Sequence, residues 1–306
     1  MIRIGTRKSK LALWQANTVK ALLEEHALAS MLHPMSSKGD LITNKPLHQI
    51  GGTGLFTKVL DDALLNKEAD LAVHSLKDYP TVIPEGLHLA AVLPRASALD
   101  VLVYKGEKNL FSQTEAKGSI LTGSPRRKAQ WLHRYPNFEV FGLRGNVPTR
   151  LQKLEDSGSQ GAVFAKAGLD RLDILPENHL LLDWMIPAPA QGIIALVCRS
   201  SEQELIQKLQ LLNDEDAFLS GKIERDFLNG VEGGCSAPVG AHAVIKGEEI
   251  HFRAKVNSLD GKQEVYLEEV IAKQGAEDAG FLFASTALKA GADSIIEEIK
   301  REELRA

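Results

Sequence analysis

Ser119-Ile120-Leu121-Thr122-Gly123-Ser124-Pro125-Arg126-Arg127 reads as a strand, a tight turn and the opening of a helix. Residues 119–123 carry the strand and residues 126–134 the helix. The same alternation continues outward on both sides. Residues 100–104, 138–143 and 162–165 are strand-like, and helical segments at 147–154 and 167–172 separate the later ones. Upstream, residues 2–6 form a strand, and Ser9 caps a helix whose Leu11, Trp14, Thr18 and Leu22 fall on one stripe. A second helix spans 55–66 and a short strand spans 71–74. Alternation of this kind predicts an α/β chain with mainly parallel sheets, helices on both faces, and two lobes.

The final third reads differently. A helix at 214–228 precedes three strands at 242–245, 249–257 and 263–270, joined by Lys246-Gly247 and Asp260-Gly261 turns. One long helix at 276–303 follows. A meander closed by helices predicts a small α+β domain with a three-stranded antiparallel sheet.

A chain of 306 residues is too long for one small core and suits two or three domains. Its formal net charge of −4 argues against a general nucleic-acid or membrane-surface binder, so any anion site is local. Met1 runs directly into Ile2-Arg3-Ile4-Gly5 without a signal-like apolar region, and no later apolar run is long enough to span a bilayer; the expectation is cytoplasmic. Cys198 and Cys235 form no CxxC pair and the histidines no HExxH, so no metal site is expected. Cys198 lies in the apolar run 192–199 and reads as core. Cys235 sits in Glu232-Gly233-Gly234-Cys235-Ser236-Ala237-Pro238, among small side chains that leave room for an attached group. Its bland alternative is a buried cysteine in a tight turn.

Basic residues gather at predicted strand-to-helix turns. Arg7 and Ser9 flank the first, Arg126 and Arg127 follow Thr122-Gly123-Ser124, and Arg144-Gly145-Asn146 opens a third, with Arg150 one turn on; Arg171 ends another short helix. Strand ends of open α/β sheets line ligand crevices, helix N-termini favour anions, and arginine's planar fork suits carboxylates. A polyanionic small ligand is the expectation. Asp78, in His74-Ser75-Leu76-Lys77-Asp78, follows a strand into the same crevice, where a carboxylate stabilises a cation or relays a proton; the alternative is a turn cap beside Lys77. Gly51-Gly52-Thr53-Gly54 lacks the spacing and lysine of a phosphate loop and reads as a lid.

Together these motifs resemble the porphobilinogen deaminase (hydroxymethylbilane synthase) family. The likeness runs in order through Thr6-Arg7-Lys8-Ser9, Ser37-Lys38-Gly39-Asp40, Gly51-Gly52-Thr53-Gly54-Leu55-Phe56, Ala72-Val73-His74-Ser75-Leu76-Lys77-Asp78, Arg126-Arg127, Leu143-Arg144-Gly145-Asn146-Val147 with Thr149-Arg150, Ala190-Gln191-Gly192 and Glu232-Gly233-Gly234-Cys235. The resemblance implies two lobes like those of periplasmic binding proteins and a C-terminal domain, divided as 1–94 with 193–210, 95–192, and 211–306. It implies a transferase that joins four porphobilinogen molecules, with release of ammonia, on a dipyrromethane cofactor held as a thioether by Cys235. Asp78 is then the catalytic carboxylate. Ser9, Lys77, Asp78, Thr122, Ser124, Arg126, Arg127, Arg144 and Gly145 hold the cofactor, and Arg7, Ser9, Arg144, Arg150, Arg171 and Gln191 the substrate. The implied protein is a monomer whose partner is porphobilinogen, with no nucleic acid and no membrane. The chain departs from the usual pattern at Gln49 and Thr53, where lysines are common, and at Leu99, Gly123 and Pro125. The competing expectation is a non-catalytic binder of small carboxylates on the same scaffold, which leaves the Cys235 loop without a role.

Overall fold

The computed structural model of the chain describes residues 1–36, 57–233 and 237–304. In order, the elements are β1 (Ile2–Arg7), α1 (Lys10–Glu25), β2 (Ser30–Met35), α2 (Lys58–Leu65), β3 (Leu71–Ser75), a 3-10 turn (Leu76–Asp78), β4 (Leu87–Val92), β5 (Asp100–Tyr104) and β6 (Gly118–Leu121). Next come α3 (Pro125–Arg134), β7 (Phe138–Phe141), α4 (Val147–Asp156), β8 (Gly161–Ala165), α5 (Lys166–Asp170), β9 (His179–Leu182) and β10 (Ile194–Arg199). The last group is α6 (Gln203–Leu209), α7 (Glu215–Gly230), β11 (Val239–Lys246), β12 (Glu249–Asn257), β13 (Glu264–Ala272), α8 (Ala279–Ala287) and α9 (Asp293–Glu303). They gather in two compact units: Met1–Ala96 with Arg171–Asp173 and Gly192–Leu219, and Ser97–Asp170 with Ile174–Gln191 and Ser220–Ala306.

The first unit is built on a five-stranded sheet ordered β2-β1-β3-β10-β4. β1 runs parallel to β2 and β3, and β10 runs antiparallel to β3 and β4, so one strand of the five is reversed. All six residues of β10 are buried, Cys198 completely, as expected of an apolar run covered on both faces. Helix α1 begins at its Ser9 cap, whose Oγ accepts from Ala12 N at 3.3 Å. Its buried face is Gln15, Ala16, Val19 and Leu23 rather than the predicted Leu11, Trp14, Thr18 and Leu22. The helix is turned by about one position. The small Ala16 and compact Val19 let it lie close to β1 and β3, whereas Trp14 stays 39% exposed.

The second unit repeats the plan. Its five-stranded sheet is ordered β7-β6-β8-β5-β9, with β6 parallel to β7 and β8, and β5 antiparallel to β8 and β9. Leu102, Ile120 and Val163 pack on Trp131, Tyr135 and Phe138 on one face. Val101, Val103, Leu121 and Phe164 pack with Leu154 and Leu169 on the other. Successive residues of β5 thus feed opposite cores, which is why the strand is apolar throughout after Asp100.

The same unit holds the antiparallel sheet β11-β12-β13. Ile250, Phe252, Ala254 and Val256 alternate inward along β12, and Phe252 stacks on Phe283 of α8 at 4.4 Å. Gly261 in the β12–β13 turn has φ of +74°, and a Cβ there would lie 2.5 Å from Ala129 O of α3, so both conformation and packing require glycine. The architecture is the expected one: α/β with two mainly parallel sheets and a C-terminal α+β region with a three-stranded antiparallel sheet.

Besides the turned face of α1, two further details differ from the sequence reading. The long C-terminal helix is broken between α8 and α9, where Gly291 has φ of +107°. Strands β2, β4 and β9 were not anticipated, and each lies at a sheet edge, where one flank needs no apolar partner. β2 even contains Pro34, tolerated because an edge strand leaves a missing N–H unmissed. The predicted start of the second helix at residues 55–56 lies outside the described residues.

Candidate active site

The site residues fall into two groups, one in each unit. In the first unit, β1 and β3 are adjacent and parallel, so the turns that follow them emerge at the same edge. Arg7 ends β1, Ser9 caps α1, and Lys77 and Asp78 occupy the 3-10 turn after β3. Reversed β10 starts at this edge, and Leu76 N donates to Ile193 O at 3.0 Å. Arg171 donates from Nη2 to Gly192 O at 2.7 Å, and its guanidinium lies 5.6 Å from the centroid of the Trp14 ring. Gln15 Nε2 donates to Ser75 Oγ at 2.8 Å, tying α1 to the end of β3. Asp78 is exposed on this framework.

Beneath that turn lies a polar cluster the sequence did not reveal. His74 is 6% exposed, its Nε2 has no hydrogen-bond partner among the described residues, and it stands 4.0 Å from Asp61 Oδ1. Tyr79 OH donates to the same oxygen at 3.4 Å, and the His74 and Tyr79 rings are 4.7 Å apart. Burial, with help from the positive charge of Arg7, depresses the His74 pKa to about 3. Burial raises Asp61 to about 6, against the hydrogen bonds from Thr57 and Tyr79. Both effects favour the neutral forms.

In the second unit, β6 and β7 are adjacent and parallel, so the turns opening α3 and α4 meet. A Cβ on Gly123 would overlap Leu143 O, and the same position is 3.9 Å from the Arg144 side chain. Glycine at this departure from the usual family pattern therefore has a steric cause. Ser124 caps α3, with Oγ accepting from Arg127 N at 3.4 Å, and Pro125 takes the first turn, where it needs no N–H partner. Thr122 Oγ1 accepts from Ser124 N at 3.2 Å. Asn146 caps α4, and Arg150 Nε donates to Gly145 O at 2.7 Å.

Arg144 is half-buried and has no hydrogen-bond or ion-pair partner among the described residues. Burial lowers its pKa, because water has been removed without a carboxylate to replace it. An unpaired guanidinium beside two helix N-termini is suited to a carboxylate ligand. The acetate- and propionate-bearing dipyrromethane fits this donor set.

Arg126 and Arg127 differ from it. They are 4% and 6% exposed and converge on Asp100, which is fully buried. Arg127 donates from Nε at 3.2 Å and Nη2 at 2.7 Å to Asp100 Oδ1, and from Nη1 to Val163 O at 3.0 Å. Arg126 Nη1 lies 2.7 Å from Asp100 Oδ2, an ion pair by distance in which Oδ2 has no aligned hydrogen bond. That nitrogen also donates to Ile186 O at 2.8 Å, while Arg126 Nε is buried without a partner among the described residues. Gln191 Nε2 donates to Asp100 Oδ1 at 2.9 Å and to Ala98 O at 2.6 Å. Burial works to raise the Asp100 pKa, but the two guanidinium groups outweigh it and hold the carboxyl well below the usual range. Nearby, the buried Glu224 of α7 accepts from Ala190 N at 2.6 Å and Ala243 N at 2.7 Å, joining the residue before Gln191 to α7 and β11.

Cys235 lies outside the described residues, as do the Gly51–Gly54 segment with Gln49 and Thr53 and the Ser37–Asp40 motif. Cys198 is fully buried and its thiol is pushed up to about 11 by burial, which makes it inert core. Asp100, Asp61 and Glu224 are what sequence reasoning missed. For Asp100 a signal was present: one acid heading the apolar run Val101-Leu102-Val103 needs buried cations. Among the described residues no group of histidine, cysteine and acidic side chains is placed to hold a metal, and no helix is long and apolar enough to cross a membrane.

Comparison with known proteins gives one family. Residues 2–207 match the profile described as porphobilinogen deaminase, dipyromethane cofactor binding domain, and residues 218–289 match porphobilinogen deaminase, C-terminal domain. The chain is 40% identical over 301 residues to a porphobilinogen deaminase of Campylobacter concisus, covering 96% of this chain and 97% of that one. It is 40% identical over 310 residues to one from Chloroherpeton thalassium, covering 98% of both chains. A probable porphobilinogen deaminase of Methanocella arvoryzae is 41% identical over 303 residues, covering 98% of this chain and 99% of that one.

Proposed function

The chain belongs to the porphobilinogen deaminase family, and from that premise we propose that Asp78 is its catalytic carboxylate and Cys235 the residue that carries its cofactor. The enzyme is a transferase that joins four porphobilinogen molecules head to tail, with loss of ammonia, and releases hydroxymethylbilane by hydrolysis. Its dipyrromethane cofactor supplies a fixed pyrrole acceptor, which makes each coupling effectively intramolecular.

Arg126, Arg127 and Arg144, with Ser9, Lys77, Thr122, Ser124 and Gly145, orient the cofactor carboxylates. Arg7, Arg150, Arg171 and Gln191, with Ser9 and Arg144, orient those of the substrate. The observation that carries this reading is Arg144, half-buried, without a counter-anion among the described residues and set where two helix N-termini meet. Asp78, in the 3-10 turn that follows β3, offers negative charge to the protonated amine that leaves and to the positive charge developing at the pyrrole methylene. We further propose a cytoplasmic monomer that binds neither nucleic acid nor membrane, with domains 1–94 plus 193–210, 95–192 and 211–306. A non-catalytic carboxylate binder is not favoured, because the family match runs through both the cofactor-binding and C-terminal domains.

Intact-mass and peptide mapping test the cysteine: an adduct on Cys235, absent from Cys235→Ser, is expected, and a free Cys235 thiol in fully active enzyme rules it out. Single-turnover rates of cofactor-loaded protein test the carboxylate. Asp78→Asn should slow turnover by about 10²–10³, with Asp78→Glu retaining more. Equal rates for wild type and Asp78→Asn would leave Asp78 as a turn cap.

A further inference from the structure

We propose that Asp100 is a positioning residue for cofactor loading, fixing Arg126, Arg127 and Gln191 in one arrangement from a place where it touches no ligand itself. The inference rests on the family reading above, which puts those three side chains in the site, but Asp100 enters it from geometry alone. Its carboxylate is completely buried at the start of β5 and faces two guanidinium groups and one amide. These arrive from different parts of the chain: both arginines from the first turn of α3, Gln191 from the segment before β10.

The two arginines are not equivalent. Arg127 has Nε and both terminal nitrogens engaged, by Asp100 and Val163 O. Among the described residues Arg126 is held at Nη1 alone, by Asp100 and Ile186 O, and keeps a buried Nε with no partner. Arg127 thus serves as the anchor and Arg126 as the member with donors left for a ligand carboxylate. Without Asp100, two buried like charges in adjacent positions repel one another, and each fork is free to rotate away. A preorganised site becomes one that must be ordered by its ligand, which weakens binding.

The test uses the full chain and reads cofactor occupancy by intact mass, next to far-UV circular dichroism and a thermal melt. The wild-type adduct, measured first, tests the cysteine assignment separately, and the variants are compared with it. Asp100→Asn keeps shape and one acceptor oxygen but loses the charge. Occupancy of its folded protein should fall by about tenfold or more, the ratio typical of one charge-assisted hydrogen bond. A variant that melts earlier yet carries cofactor at the wild-type level would overturn the proposal, since a purely structural aspartate predicts that result. Asp100→Glu keeps the charge but displaces it by a methylene, and covers the case in which Asp100→Asn fails to fold. Occupancy between wild type and one tenth of it is expected, and full occupancy overturns the proposal.

Discussion

Under the edge of β2-β1-β3-β10-β4, His74 and Asp61 are buried with their ionisation disfavoured; under the edge of β7-β6-β8-β5-β9, Asp100 is buried and ionised between two arginines. The strand plans match, with the reversed strand in fourth place in both. The electrostatic solutions are opposite. A titratable group taken out of water either gives up its charge or meets an opposite one. The second solution puts cations in fixed positions, which a carboxylate ligand exploits. The first holds His74 neutral and leaves Asp61 to change its charge near pH 6.

The sharpest way to break this contrast is to unbalance the charged interior. Arg127→Met leaves Asp100 with Arg126 alone and should destabilise the protein by about 3–5 kcal/mol, the usual cost of breaking a buried ion pair, as read by urea unfolding. Loss of less than about 1 kcal/mol would mean Arg126 and Gln191 suffice and the two interiors differ less than described. Gly123→Ala pushes a Cβ into Leu143 O where the α3 and α4 turns meet, and should cost about 1–3 kcal/mol and disturb Arg144. A crystal structure with Arg144 unmoved would separate the turn's packing from the site.

The His74–Asp61 interior is tested by pH. The folded-state pKa of His74, about 3, lies below the ordinary value of 6.5, so the unfolded chain takes up the proton first and stability falls as pH drops below about 6.5. Asp61 acts the other way: its folded value of about 6 lies above 3.8, so protonation favours the folded state as pH falls through 6. The two partly cancel in the wild type. His74→Gln removes only the first, and between pH 7.5 and 5.5 it should gain about 1 kcal/mol relative to wild type. Parallel pH curves for the two proteins would show that His74 is not held neutral. The smallest effect compares equivalent caps: Ser9→Ala and Ser124→Ala should each cost about 1 kcal/mol in denaturant titration, and each should also lower cofactor occupancy read by intact mass, since both are proposed cofactor contacts.

Much of this was legible in the chain. Strands β5, β8, β10 and β12 are apolar or alternating over nearly their full length, Asp100 and Arg199 at the ends of β5 and β10 excepted, because their flanks are covered, and their patterns survive in sequence. Edge strands β2, β4 and β9 were hidden because one side makes no such demand. The arginines were visible because they cluster at turns. Their directions were not: Arg126 and Arg127 turn inward while Arg144 does not, and that is decided by Asp100, some 25 residues earlier and across the sheet. Spacing along a chain carries no record of such a partner.

Reversed β10 also sets an order of events during synthesis. The strands of the second sheet all lie between Asp100 and Leu182, so that sheet can close as soon as this stretch has emerged from the ribosome. The first sheet begins at Ile2 but lacks its fourth strand until Arg199 is made. Until then β3 has an open flank and β4 has no neighbour to pair with. The usual vectorial order, with N-terminal regions finishing first, is inverted. The growing chain must carry unpaired strand edges past the making of a whole second sheet, so its exposure to misassociation is greatest in the interval before residue 194 appears.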